Sequence, residues 1–350
     1  MTDQPGANDP SPSVELPLGD KVDFLGRPEA YPEPTRRVEP VETHMSWVFL
    51  TDAYAYKMKK PVRYAYLDYS TLERRRRMCG EELRLNRRLA SWVYLGIVAL
   101  VCDDRGRLAL SEPGDKRAGT IVEWLVKMVR LPAECLLNQA IGREAVNDLD
   151  AQRTAVHLAE FFARAEPVRM PIASHIRRLG MAIGANARDI DAAGTPSRRY
   201  ASVVRALHGF LDERSALLET RLARGRLVEG HGDLRPEHVF LGAPPAIIDC
   251  LEFDRALRLA DPLAELAFLT MECERLGAAK WGELFLEIYL ERAADDAPEE
   301  LMAFYMAERA LLRARLALGH LHDGVAREPK RWLDQADQYL DLANSYVSRL

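Results

Sequence analysis

Long apolar runs are absent from this chain of 350 residues. No stretch approaches the ~20 consecutive apolar residues that a helix needs to cross a bilayer, so no membrane partner is expected. Cysteine is scarce: Cys79, Cys102, Cys135, Cys250 and Cys273 stand far apart and form no CxxC pair. That spacing excludes a zinc ribbon or a thioredoxin-like centre and suits reduced thiols. Positive charge is not in excess, with 48 Lys and Arg against 53 Asp and Glu and a formal net charge of -5. A nucleic-acid binder carries a basic footprint, so no nucleic acid is expected as a partner. No apolar signal-peptide core follows Met1, and the chain reads as cytoplasmic. A glycine-rich phosphate loop is missing too.

What is present is an ordinary globular composition, 48% hydrophobic and 29% charged, with length enough for two lobes. Residues 1–40, rich in Pro, Asp, Glu and Gly, read as a mobile N-terminal arm. Residues 46–50 and 53–58 read as short strands around a turn at Thr51-Asp52, with 61–68 extending or following them. A charged amphipathic helix is expected over about 70–90, and its run Arg74–Arg77 reads as a solvated face. Residues 93–102 are an apolar strand, with a partner at 107–111 and a further strand beginning in 119–128. From Leu131 the pattern turns helical, with candidates at 132–142, 148–165, 198–223, 261–276, 280–293, 298–320 and 330–348. Residues 165–200 give a mixed pattern. Strand signals return at Val239–Leu241 and Ala246–Asp249, joined by GAPP. The expected fold class is α+β: a small, mainly antiparallel sheet carrying one helix, then a larger, mainly helical part.

A hairpin inside a helical region singles out residues 229–254, EGHGDLRPEHVFLGAPPAIIDCLEFD. Phosphoryl transfer needs a group that orients the attacking hydroxyl and metal ions that hold the ATP phosphates. Asp233, on a short loop, suits the first task. Asp249, ending a strand buried by Ile247 and Ile248, suits the second, because magnesium prefers oxygen ligands. Gly232 lets the backbone pass tightly beside Asp233. A nucleotide site also needs a cation on a strand and a helical carboxylate to position it. Lys57 ends the strand YAYK; Lys59 shares its face by alternation, and Lys59 and Lys60 read as an exposed basic strand end. Glu81 and Glu82 point about 100° apart on a helix, so one of them faces the cation. Glu73 is a third candidate.

HGDLRPEH followed by IIDCLEFDRALRLADPLAELAFL resembles the catalytic segment of the aminoglycoside phosphotransferase and choline kinase superfamily, which is protein-kinase-like. ETHMSWVFL, AYKMKKPV and STLERRRRMCGEELRLNRRLA resemble an uncharacterised bacterial branch of it, and the resemblance covers about 40–320. It implies a bilobal kinase-like fold, with an N-lobe over 41–120, a hinge over 121–128 and a helical C-lobe over 129–350. It also implies an ATP-dependent kinase of a small-molecule hydroxyl such as a sugar or amino alcohol, using ATP and Mg2+ or Mn2+. Its partners would be ATP and a small-molecule acceptor. By this resemblance Asp233 is the catalytic aspartate, Asp249 the metal-binding one, and Asp261-Pro262 and Glu265 match a downstream D-P-x-x-[DE]-L-A block. Lys57 becomes the phosphate-binding lysine, and the helix register favours Glu82 as its partner. Ser46 would contact a phosphate, and adenine would pair with the backbone around Glu123 and Leu125. Arg235 either neutralises the transferring phosphate or pairs with Glu237 or Glu252. His231 holds the loop. The family pattern has Asn where this chain has His238, a softer metal ligand that suits manganese better than magnesium. That departure opens an alternative, a pseudokinase or nucleotide-binding regulator. Contacts to the acceptor are sought at Glu252 and Asp254, or at Arg309 and Arg313, which otherwise read as salt-bridged surface.

Overall fold

Alternating apolar residues from Trp47 to Met58 build adjacent strands of one sheet. The computed structural model describes residues 16–64, 67–112, 114–115, 119–194, 199–296, 298–321 and 329–350. The chain divides into two compact units, Met1–Leu131 with Glu252–Asp254, and Pro132–Leu251 with Arg255–Leu350.

The first unit opens with helix α1 (Leu18–Leu25), followed by strands β1 (Glu39–Glu42), β2 (Ser46–Leu50) and β3 (Tyr54–Lys59). A hairpin of β4 (Arg63–Tyr64) and β5 (Leu67–Asp68) leads to helix α2 (Leu72–Ala90). Strands β6 (Tyr94–Cys102), β7 (Leu108–Ser111) and β8 (Thr120–Val129) complete a sheet of order β1-β2-β3-β8-β6-β7, antiparallel throughout. Phe49, Tyr56, Met58, Val98, Leu100, Val122 and Leu125 form one core with Leu25, Ala30 and Tyr31. Each large apolar side chain so buried contributes about 1.5–3 kcal/mol. Helix α2 starts at Thr71, whose hydroxyl caps the Arg74 N–H at 3.3 Å, and packs on β6 and β8.

Three expectations change here. Residues 16–40 do not form a mobile arm, because Leu25 and Tyr31 are buried in the sheet's core; residues 1–15 lie outside the described residues. The stretch 121–128 is not a hinge but lies inside β8, and the division between units falls after Leu131. The run Arg74–Arg77 is not uniformly solvated: Arg75 is 4% exposed and bonds Glu123 Oε1 at 2.7 Å.

The second unit holds α3 (Leu137–Gly142), α4 (Asp148–Arg164), α5 (Ile172–Ala192), α6 (Arg199–Glu213) and α7 (Ser215–Ala223). Strand β9 (Val228–Glu229) follows, then the hairpin β10 (Val239–Phe240) and β11 (Ala246–Ile247), the short helix α8 (Arg255–Arg258) and β12 (Leu259–Ala260), which pairs with β9. Helices α9 (Pro262–Arg275), α10 (Ala279–Ala293), α11 (Glu299–Gly319) and α12 (Pro329–Val347) complete it. Helix α9 is buried from Pro262 through Cys273 and forms the centre of the unit. Gly282 of α10 lets that helix approach closely, since a Cβ there would fall 2.4 Å from Thr270 Cα. The expected helix over 198–223 is broken at Arg214, and the undetermined stretch 165–200 contains α5. Among the described residues no helix is long and apolar enough to cross a membrane.

Candidate active site

In the helical unit the loop between β9 and β10 is held from below by α9. Asp261 caps that helix, accepting from the Leu263 N–H at 2.9 Å, and Pro262 occupies its first turn. One turn on, buried Glu265 reaches back, and its Oε1 accepts the N–H groups of His231 (3.1 Å) and Gly232 (2.8 Å). The spacing of the Asp-Pro-x-x-Glu block thus has a mechanical reason: cap, start, then loop anchor. Gly230 is required because a Cβ there would lie 2.6 Å from Glu265 Oε1. Gly232 adopts φ +87°, a left-handed conformation that glycine accepts without strain.

His231 is fully buried. Its Nε2 donates to the Ile248 carbonyl (2.8 Å) and its Nδ1 accepts from the Asp233 N–H (3.2 Å), which fixes the tautomer and the loop. Burial, with the charge of His238, pushes its pKa down to about 4. Asp233 Oδ1 accepts from Arg235 Nε at 2.9 Å, and Arg235 Nη1 bonds Glu237 at 3.0 Å. Burial would raise the Asp233 carboxyl, but Arg235, His238 and Arg313 outweigh it and hold its pKa below the ordinary value.

His238 stands between the two aspartates. Its Nδ1 donates to the Asp233 carbonyl at 2.8 Å and lies 3.7 Å from Asp233 Oδ2, while Nε2 lies 3.6 Å from Asp249 Oδ2. A proton committed to the carbonyl leaves the Nε2 lone pair on the Asp249 side. Asp249 sits at φ +61°, with its side chain 45% exposed. Aspartate is among the few L residues that visit this region, at a cost of about 1–3 kcal/mol.

In the sheet unit, Glu82 is fully buried and meets two lysines, Lys57 Nζ at 2.9 Å and Lys59 Nζ at 2.6 Å. Glu81 is turned aside to Arg84. Lys59 corrects the expectation of an exposed strand end: it is 0% exposed, bonds Glu252 as well, and lies over the Tyr69 ring. Burial alone would lower its pKa, yet the Glu252 and Glu82 carboxylates raise it well above the ordinary value. Tyr69 donates to Glu252 at 2.6 Å and closes the network. Ser46 is 3% exposed, opposite Lys59 in the β2–β3 register.

Glu123 and Leu125 both lie within β8. Leu125 is paired to Met58 on one side and Val98 on the other, and a central strand spends its backbone groups on its neighbours. The Glu123 carboxylate is held by Lys21 (2.9 Å) and Arg75 (2.7 Å). Sequence reasoning missed Lys59, Tyr69 and the inward turn of Glu252. The alternation that put Lys59 beside Lys57 was the available signal.

For a divalent ion, the helical unit offers one carboxylate, Asp249, and the lone pair of His238 Nε2. Among the described residues no group of three or more His, Cys, Asp or Glu side chains is arranged to hold a metal. Magnesium commonly uses one or two protein groups and completes its shell with water and phosphate oxygens, so this donor set fits an ion shared with a nucleotide. The imidazole fits manganese better.

A six-stranded antiparallel sheet with helices α1 and α2 in one unit, and a mainly helical second unit carrying the Asp233 loop and Asp249, give a kinase-like fold. Among solved structures the chain is similar to choline kinase from Cryptosporidium parvum Iowa II, with TM-score 0.54, 10% identity, and coverage of 95% of this chain and 96% of that one. It is similar to a thermostable mutant of aminoglycoside phosphotransferase APH(4)-Ia in ternary complex with AMP-PNP and hygromycin B, with TM-score 0.52, 14% identity, and coverage of 97% and 98%. Proteins of Mycobacterium bovis and Mycobacterium tuberculosis described as uncharacterized are 34% identical over 316 residues, which is 86% of this chain. The chain spans 59% of the length of these relatives. No family model matches it.

Proposed function

We propose that the protein transfers the γ-phosphoryl group of ATP to a hydroxyl of a small molecule. The observation that best supports this is the placement of Asp233 and Asp249 on either side of one imidazole, His238. The acceptor oxygen attacks the γ-phosphorus, the bond to the bridging oxygen breaks and ADP leaves. The hydroxyl proton passes to the Asp233 carboxylate and then to water. Such a transition state is loose, so orienting the hydroxyl matters more than a strong base, and an ionised Asp233 suits that task. Arg235, clamped by Asp233 and Glu237, offsets charge on the transferring group.

Asp249 and His238 would hold a divalent ion, which supplies neutralisation of the phosphate oxygens. In the sheet unit, Lys57 is the nucleotide-phosphate cation, and Glu82 is its positioning partner. Lys59 is too deeply buried for that role and instead locks Glu82 and Glu252 in place.

The test is thermal unfolding with ATP and either metal. A ligand at ~100 times its Kd adds about 2.7 kcal/mol of stability. A metal-dependent rise in Tm is expected for the wild type and should vanish in Asp249→Asn. A rise that Asp249→Asn keeps in full would remove Asp249 as the metal ligand.

His238→Asn exchanges an imidazole for an amide oxygen that magnesium prefers. The ratio of magnesium-supported to manganese-supported turnover should increase in this variant. An unchanged ratio would mean that His238 does not contact the ion.

A further inference from the structure

We infer that the acceptor carries an anionic group, a carboxylate or a phosphate, and that Arg178 and Arg309 bind it; this rests on the phosphotransferase reading above. The two arginines come from α5 and α11, which pack together in the helical unit. Arg178 donates from Nη1 to the Ala256 carbonyl at 3.2 Å and from Nη2 to His175 Nδ1 at 3.2 Å. Both partners are neutral. His175 is 2% exposed, and burial together with the Arg178 charge pushes its pKa down to about 4. Among the described residues no carboxylate forms an ion pair with Arg178, and its buried Nε has no hydrogen-bond partner.

Arg309 shows the same deficit. Its Nε is buried without a hydrogen bond. Its one ion pair is a loose 3.5 Å contact with the adjacent Glu308, and its guanidinium otherwise rests over the Phe268 ring. The two cations sense each other: burial first, then the Arg309 charge, lowers the pKa of Arg178. Among the described residues Glu308 is the one carboxylate within ion-pair range of the two guanidinium groups; Glu265, which also feels the Arg309 charge, is already spent on two backbone N–H groups. Taking charge out of water without a full partner is costly. A planar fork of unspent N–H donors matches the geometry of a carboxylate or phosphate.

The position of the pair ties it to the chemistry. Burial raises the pKa of Glu265, the carboxylate that holds the His231 and Gly232 N–H groups, and the Arg309 charge works against that rise. One turn further along α11, Arg313 does the same to Asp233. Arg313 itself is already satisfied by Glu272 (3.0 Å) and Tyr339 (3.2 Å), which leaves Arg178 and Arg309 as the under-compensated cations beside the loop. Of the two carboxylates considered for a cationic acceptor, Glu252 is taken by Lys59 and Tyr69.

The experiment is calorimetric titration of the full chain in a metal chelator with four small alcohols: glycerol, ethanolamine, D-glycerate and glycerol 3-phosphate. D-glycerate or glycerol 3-phosphate should bind the wild type, and the tighter of the two tells carboxylate from phosphate. Glycerol and ethanolamine should not bind. Removing a charged hydrogen-bonding partner should weaken the anion by about tenfold or more in Arg178→Gln and in Arg309→Gln. Arg309→Lys, which keeps the charge, should recover part of that loss and guards against a folding artefact. The inference is overturned if no anion binds the wild type, if ethanolamine or glycerol binds as tightly, or if both Gln variants bind unchanged. Anion binding in a protein that forms no ADP with any hydroxyl acceptor would sink the transfer reading and leave the anion site standing.

Discussion

Asp233→Asn should lower kcat by about 10²–10⁴-fold, the usual cost of losing a general base, with nucleotide affinity nearly unchanged. The geometry explains the asymmetry. His238 is oriented by the backbone carbonyl of residue 233, which the substitution keeps. The His231 ring and the Glu265 anchor also act on backbone groups of the loop. Arg235 loses its contact to a carboxylate at 2.9 Å but retains Glu237 at 3.0 Å. The loop should therefore keep its shape while losing the group that receives the proton. A fall in kcat and kcat/KM together, at constant affinity for nucleotide, is the signature of an interaction made in the transition state. Steady-state kinetics with an unchanged kcat would remove Asp233 from this role.

Arg221→Met should destabilise the helical unit by about 3–5 kcal/mol, the range for breaking a buried ion pair from one side. The Arg221 side chain is 3% exposed. Its Nε and Nη2 each lie 2.8 Å from the Asp261 carboxylate, and it also bonds Asp295. Removing it takes the cation from Asp261 and leaves Asp295 with Arg226 at 3.4 Å and the Tyr289 hydroxyl at 2.9 Å, two carboxylates whose side chains are 3% and 1% exposed. Asp261 caps the helix that carries Glu265, so the damage reaches the loop bearing Asp233 through α9. Denaturant unfolding gives the measurement. Adding Asp261→Asn to the variant should restore much of the loss, because Asn still caps a helix, the buried charge is gone, and Asp295 keeps Arg226. A single variant as stable as the wild type would contradict this account.

The parts legible in the sequence were those where chemistry and local geometry coincide. Gly232 before Asp233 predicted a tight loop, and its φ of +87° bears that out. Apolar alternation located strands β2, β3 and β6 to within a residue or two of their observed ends. The family resemblance favoured Glu82 over Glu81, and Glu82 is the carboxylate 2.9 Å from Lys57. The misses share a different cause, long-range pairing. Lys59 resembles any exposed strand-end lysine until Glu252, 193 residues later, is brought beside it. Glu123 lay in a stretch resembling a hinge until Lys21 and Arg75 claimed its carboxylate. Leu25 and Tyr31 were hidden in a segment whose average composition is polar. Arg178 fell in the mixed pattern of 165–200, where α5 runs through glycine and polar residues that blur its period. Composition and period report the local chain, and a buried charge is defined by partners they cannot see.

The central claim is transfer from ATP to a small-molecule hydroxyl. Its most direct test is incubation of the full chain with γ-labelled ATP, manganese or magnesium and a deproteinised cell extract, with separation of the labelled products. The account predicts label in a small molecule other than phosphate or nucleotide, formed by the wild type and lost in Asp233→Asn. Metal-dependent ATP binding with no labelled metabolite, or label formed equally by Asp233→Asn, would contradict it.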